Sequence, residues 1–162
     1  MTRRCVAVCP KSETTFGDDL SHDCVRVCPD GFWADNSTQT CVATCPNLGG
    51  GTVHTYADNI TKYCVTKCPY PFFAHNASNT CIEECPTSTN LYGHPIGRVC
   101  VVVLDCYDVN GQDYFSDAES RTCVQKCPLT LWADSTTFKC VATCPSGYYR
   151  NLHDQTCVAN CP

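Results

Sequence analysis

Cysteines recur along this chain in pairs of near-constant spacing, and that spacing constrains the fold more than any other feature. Eight pairs read Cys-x3-Cys, namely Cys5/Cys9, Cys24/Cys28, Cys41/Cys45, Cys64/Cys68, Cys81/Cys85, Cys123/Cys127, Cys140/Cys144 and Cys157/Cys161. Proline follows the second cysteine in all eight. The ninth pair, Cys100…Cys106, has five intervening residues and Tyr107 where the others have proline. First cysteines stand 17, 19 or 23 residues apart, and Cys-Val-Ala-Thr-Cys-Pro occurs twice, at Cys41–Pro46 and Cys140–Pro145. A period of this size marks an array of small supersecondary units. Eighteen cysteines in 162 residues is also the density and even parity of a disulfide scaffold. Disulfides at this density need an oxidising compartment, so the expected location is extracellular or at the cell surface, reached through the secretory pathway.

With the first cysteine of each pair as position 0, the rest of the unit falls into register. Position −8 is aromatic in all eight loops: Phe16, Trp33, Tyr56, Phe73, Tyr92, Phe115, Trp132 and Tyr149. Position −6 is Asp18, Asp35, Asp58, Asp117 or Asp134 in five loops, and His75, His94 or Asn151 in the others. Position +1 is Val or Ile in all nine units. All length variation lies between the Cys-Pro corner and the aromatic. We expect an extended segment from Cys-Pro to the aromatic, then a turn rich in Asp, Asn, Ser and Thr, whose side chains bond their own backbone. A short strand carrying the β-branched residue then returns to the cysteine. The aromatic is expected to pack on an adjacent disulfide rather than contact a ligand.

Seven leucines in the whole chain are too few for a large leucine-rich core, so crosslinks must substitute for buried area. The fold class that follows is one of small disulfide-rich repeats. They would form an elongated, solenoid-like rod of short β-hairpin-like loops, with little helix and no large hydrophobic core. Spacers of four residues reach at most roughly 13 Å, so eight modules make a rod on the order of 100 Å long. We divide the chain into residues 1–99, five repeats, and residues 100–162, three repeats plus the start of another.

Spacing alone does not fix the connectivity of 18 cysteines. Two regular schemes exist. One joins the second cysteine of each pair to the first of the next: Cys9–Cys24, Cys28–Cys41, Cys45–Cys64, Cys68–Cys81, Cys85–Cys100, Cys106–Cys123, Cys127–Cys140 and Cys144–Cys157. The other joins first to first and second to second. The former is expected, because loop length can then vary without disturbing a neighbouring bridge, and the longer Cys100…Cys106 spacer lies outside any ring. Each such bridge stabilises the fold by about 3 kcal/mol in the chain-entropy model. This scheme leaves Cys5 and Cys161 for inter-module or inter-subunit bonds.

Cys-Val-x-x-Cys-Pro, then a loop bearing an aromatic, then Cys-Val-x-x-Cys resembles the cysteine-rich region of the epidermal growth factor receptor family and furin-like repeats. Arrays of similar units occur in surface proteins of unicellular eukaryotes. The resemblance runs from Cys5 to Cys161 and implies the same second-to-first closure. Receptor regions mix one- and two-disulfide modules; the uniform units here favour an architectural array.

Three sequons, at Asn36, Asn59 and Asn76, all occupy position −5 of consecutive loops, a shared site for N-glycosylation. The cysteine spacing formally suits zinc, but uniform Cys-Pro pairs and sequons argue for disulfides. Single carboxylates on separate loops do not assemble the six to eight oxygens calcium takes, so the recurrent Asp is read as a turn cap. No metal or cofactor is expected. The five histidines lack a recurring nucleophile or acid partner, bonded cysteines are not nucleophiles, and no phosphate-cradling loop is present, so no enzyme is expected. A net charge of −5, without a basic stripe or long apolar run, excludes nucleic acid and membrane contact as roles of this segment. Residues Met1–Cys5 contain no apolar export segment, which suggests a mature fragment. The expected function is a structural segment of an extracellular glycosylated filament, coat or stalk, self-associating or belonging to a longer array. The alternative is a ligand-binding receptor ectodomain or adhesive surface protein.

Overall fold

Each module is a β-hairpin of two three-residue strands, and residue types explain where the strands lie. The outgoing strand starts on the position −8 aromatic and ends at position −6; the return strand spans positions −1 to +1. Aromatic and β-branched residues suit a pleated, half-buried surface, and the polar residues between them suit the turn. The computed structural model describes residues 8–106 and 113–160. It divides into two compact units, Met1–Pro69 with Ala74–Cys81 and Tyr70–Phe73 with Ile82–Pro162.

The first unit holds β1 (Phe16–Asp18), β2 (Asp23–Val25), β3 (Trp33–Asp35), β4 (Thr40–Val42), β5 (Tyr56–Asp58) and β6 (Tyr63–Val65). Strand β7 (Phe73–His75) is divided between the units, and β8 (Thr80–Ile82) reaches the end of the first. The second unit holds β9 (Tyr92–His94), β10 (Val99–Val101), β11 (Phe115–Asp117), β12 (Thr122–Val124), β13 (Trp132–Asp134), β14 (Lys139–Val141), β15 (Tyr149–Asn151) and β16 (Thr156–Val158).

Within a hairpin the register sets the aromatic opposite the β-branched residue: Phe16 faces Val25, Trp33 faces Val42 and Tyr56 faces Val65. In the second unit the pairs are Tyr92–Val101, Phe115–Val124, Trp132–Val141 and Tyr149–Val158. Such aromatic–β-branched pairs add about 0.2–1 kcal/mol each. Between hairpins, the return strand of one module lies parallel to the outgoing strand of the module before it. In the first unit β4 pairs with β1, β6 with β3 and β8 with β5. In the second, β12 pairs with β9, β14 with β11 and β16 with β13. The stack ends in an edge strand in each unit, β2 in the first and β15 in the second.

Among the described residues helix is confined to single 3-10 turns, which absorb the length differences between loops. In three 13-residue loops the chain turns at once after Cys-Pro, through hydrogen bonds from Phe32, Leu131 and Tyr148 amides to the Pro29, Pro128 and Pro145 carbonyls. The 15-residue loops insert a 3-10 turn, Lys11–Glu13 or Thr87–Thr89. The 19-residue loop inserts Gly49–Gly51, closed by an antiparallel bridge between Leu48 and Val53. All three glycines there have positive φ, 59°, 69° and 95°, a backbone that side chains resist. The segment after Cys-Pro is therefore a turn and not the extended run expected from sequence, because the bridge and the hairpin leave too little span for an extended strand. The long Cys100…Cys106 spacer is taken up by the 3-10 turn Val103–Cys106.

The apolar core is divided into small clusters. Phe16 packs with Cys28, Cys41 and Ala34; Phe73 with Cys85 and Cys100; Tyr92 with Cys106, Cys123 and Tyr114; Phe115 with Cys127 and Ala133. In each, the aromatic belongs to one module and the disulfide to the next. This is a small disulfide-rich repeat fold without a single large core.

Candidate functional site

The recurring built site of this protein is the junction where one module seats on the next. Burying an aromatic ring there stabilises by roughly 1.5–3 kcal/mol. Position −7, between the aromatic and the turn aspartate, is Gly17, Ala34, Ala57, Ala74, Gly93, Ser116 and Ala133 in the first seven loops, and Arg150 in the last. Small residues are required because this position lies against the preceding module's aromatic. A Cβ on Gly93 would come within 2.6 Å of the Phe73 ring. Arg150 lies on the same side and places its guanidinium 5.4 Å from the centre of the Trp132 ring.

A second position ties the junction through the backbone. Position −2 has positive φ in every loop: His22, Gln39, Lys62, Asn79, Arg98, Arg121, Phe138 and Gln155, all between 51° and 61°. That conformation ends the four-residue hairpin turn and aims the carbonyl sideways at the neighbour. The Gln39 carbonyl accepts from the Gly17 amide, Lys62 from Ala34, Asn79 from Ala57, Arg121 from Gly93, Phe138 from Ser116 and Gln155 from Ala133, each at 2.8 Å. The side chains of Arg121 and Arg98 reach the same way. Arg121 sits 4.3 Å from the centre of the Tyr92 ring and donates to the Leu91 carbonyl at 2.6 Å. Arg98 sits 4.6 Å from the Phe73 ring and donates to the Phe72 carbonyl at 2.5 Å.

The turn itself is organised by position −6. Asp35 accepts from the Ser37 amide and from the Ser37 and Thr38 hydroxyls. Asp58 accepts from the Ile60 amide and Thr61 hydroxyl, Asp117 from the Glu119 and Ser120 amides and Ser120 hydroxyl, and Asp134 from Thr136 and Thr137. Asp18 repeats the pattern with Leu20 and Ser21. Where Asp is absent, His94 Nδ1 takes the Gly97 amide and Asn151 the His153 amide. The recurrent acid is a turn cap. Hydrogen bonds, the Ser21 hydroxyl foremost, hold the Asp18 carboxyl below its ordinary value. At Asp35 and Asp134 burial pushes the carboxyl upward, and the donated hydrogen bonds outweigh it, leaving both lowered.

The three sequon asparagines, Asn36, Asn59 and Asn76, are exposed at these turn tips. The hydroxyl of each sequon at position −3 (Thr38, Thr61 or Ser78) is a turn residue, bonded to the position −6 side chain of its own loop. Asn76 Oδ1 also accepts from the Tyr56 hydroxyl of the preceding module at 2.7 Å, leaving its Nδ2, the atom a glycan occupies, outside that bond.

The disulfides join Cys9 to Cys24, Cys28 to Cys41, Cys45 to Cys64, Cys68 to Cys81, Cys85 to Cys100, Cys106 to Cys123, Cys127 to Cys140 and Cys144 to Cys157, each a second cysteine with the next first one. Cys5 and Cys161 lie outside the described residues. Among the described residues no group of three or more His, Cys, Asp or Glu side chains is placed to hold a metal ion, and no helix is long and apolar enough to cross a membrane. Such dense bridging is typical of an extracellular, secreted-type protein.

Sequence reasoning found the aromatic, the aspartate and the cysteines and missed positions −7 and −2. The small residues at −7 were visible as a column. Position −2 carried no residue-type signal, since its eight side chains share neither charge nor shape. No protein-family model matches the chain, and no curated protein or solved structure is similar to it.

Proposed function

We propose that this chain is a structural segment of an extracellular glycosylated filament, coat or stalk, in which modules serve as stacking units and catalyse nothing. The observation that carries this reading is the junction: the aromatic, the small residue, the left-handed residue and the disulfide of each period act on the neighbouring module. Modules of that kind contact only their neighbours and extend by addition. Second-to-first loop closure supports the resemblance to furin-like repeats, and the uniformity of the loops supports an architectural array. Exposed sequons at the same place in three consecutive loops support glycans projecting from that edge, and Cys5 and Cys161 remain for bonds to further modules or subunits. Electron microscopy of the protein from its native source is expected to show extended strands. Compact monomers alone would overturn the proposal. Mass analysis of non-reduced glycopeptides should find a glycan on Asn36, Asn59 or Asn76; three bare asparagines would remove the glycoprotein part.

A further inference from the structure

One residue breaks the column in which it stands, and it does so beside a sequon. Position −1 is Asp23, Thr40, Tyr63, Thr80, Val99, Thr122, Lys139 and Thr156 in the eight loops. Tyr63 is the one aromatic among them, and the hairpin does not require it, since Thr fills the same place in four other loops. Register sets Tyr63 opposite Ala34 of the preceding module, and its ring reaches one module further. It stands edge-on to Phe16, with ring centres 5.5 Å apart and planes at 82°. The first three modules meet at this ring, inside the first unit.

A surface depression of about 310 Å³ opens there, with Lys11, Thr14, Phe16, Asn36, Gln39 and Tyr63 on its walls. Small-ligand sites begin at about 300 Å³. Phe16 is 2% exposed and backs the wall, whereas Tyr63 is half-buried and keeps part of its surface open. Gln39 is 6% exposed, and its side-chain oxygen is buried without a hydrogen-bond partner among the described residues. A buried acceptor left unpaired is costly, so a donor brought to this wall is favourable. Asn36 is exposed and is the acceptor residue of the sequon Asn36-Ser37-Thr38. A position −5 side chain beside the preceding module's aromatic recurs at Asn76, whose Oδ1 accepts from the Tyr56 hydroxyl. An aromatic wall with an unpaired acceptor next to it suits a pyranose, which packs a C–H face on a ring and hydrogen-bonds at its edges.

We propose that the first N-acetylglucosamine of a glycan on Asn36 seats in this depression. Its ring lies on Tyr63, its hydroxyl and N-acetyl donors face Gln39, and Lys11 closes the side toward the first module. The covalent tether keeps the sugar at high local concentration, so weak contacts suffice to hold it. Seated there, the glycan bridges three modules and stiffens two junctions. The inference rests on the glycoprotein reading in the proposed function. A second depression beside Asn36, of about 380 Å³ with Leu48, Val65 and Lys67 on its walls, has no aromatic and is the competing seat.

The test uses the full oxidised chain secreted with its glycans, carrying Asn59→Gln and Asn76→Gln and trimmed enzymatically to one N-acetylglucosamine on Asn36. Asn36→Gln in the same background supplies the bare form. NMR should show contacts between sugar protons and the Tyr63 ring, with the sugar resonances displaced by that ring. The Gly17 and Ala34 amides, bonded across the two junctions to the Gln39 and Lys62 carbonyls, should exchange about threefold or more slowly than in the bare form. Tyr63→Thr, which restores the column's common residue, should abolish both effects of the sugar, and Leu48→Ala should leave both. Mass analysis of intact disulfides verifies that each variant is folded. Sugar protons in contact with Leu48 and Val65 instead, or exchange unaltered by the sugar, overturns the inference. If native Asn36 carries a glycan and these effects are missing, the seat falls and the proposed function stands. If native Asn36 is bare, the glycoprotein reading of that loop falls and the seat with it.

Discussion

Gly93 and Gly17 occupy the same position in two modules and should respond oppositely to one added methyl. On Gly93 the methyl meets the Phe73 ring at 2.6 Å, whereas on Gly17 its nearest neighbour is 3.6 Å away. Neither glycine has a positive φ, so Ala is compatible with both backbones. We expect Gly93→Ala to lower stability by about 1–3 kcal/mol through overpacking, and Gly17→Ala to be neutral or slightly stabilising, by chemical denaturation of the oxidised chain. The turn aspartates give a second residue-scale prediction. Asp134→Ala removes the acceptor of three turn hydrogen bonds, whose Thr136 and Thr137 donors are exposed and can turn to water, so it should cost about 1 kcal/mol. The Asp18, Asp35 and Asp134 carboxyls titrate below their ordinary value in the fold. Their contribution is therefore fully present above the unfolded value of about 3.9 and is lost as pH falls through the lower folded values. Thermal melts should show stability level near neutrality and falling below about pH 4. A melting temperature unchanged down to pH 2 (about two units below that value) would contradict the capping role.

At the scale of the hairpin, the left-handed residue at −2 carries a conformational cost of roughly 1–2 kcal/mol that glycine would avoid. The chain nevertheless places no glycine there. The reason is visible at Arg121, whose side chain caps the Tyr92 ring and donates to Leu91, and is absent at His22, which is exposed at the end of the stack. His22→Gly should raise stability by about 0.5 kcal/mol, the relief being partly offset by glycine's freedom in the unfolded chain. Arg121→Gly should instead lose about 1 kcal/mol or more, since the cation–π contact and the hydrogen bond both go. The difference in denaturant midpoint between the two variants measures this. Equal shifts would mean that the −2 side chain does nothing for the junction.

At the scale of the molecule, stability is spread over successive module junctions within each unit. Replacing Cys127 and Cys140 with Ser removes both the closure of one module and the seat of Phe115. We expect a loss of about 3 kcal/mol, with hydrogen-exchange protection falling in that module and its immediate neighbours. Strands β1 to β6 should keep theirs, because modules coupled only to neighbours fail locally. Uniform loss of protection over the whole chain would indicate one cooperative core, contrary to the divided clusters.

The sequence by itself determined the module, because its signals are local. The cysteine period, the aromatic at −8, the acid at −6 and the β-branched residue at +1 each act within one loop, through strand propensity and side-chain turn chemistry. It did not show that the stretch after Cys-Pro is a turn, since no single residue type recurs there. What only the tertiary structure decided is how modules meet: that Phe16 lies on the Cys28–Cys41 bridge of the next module, that −7 must be small, and that −2 is left-handed. These depend on strand register between modules. At −2 it is the backbone carbonyl that must reach the neighbour's amide, a requirement that Gln, Lys, Asn, Arg and Phe all meet and that leaves no trace in residue type.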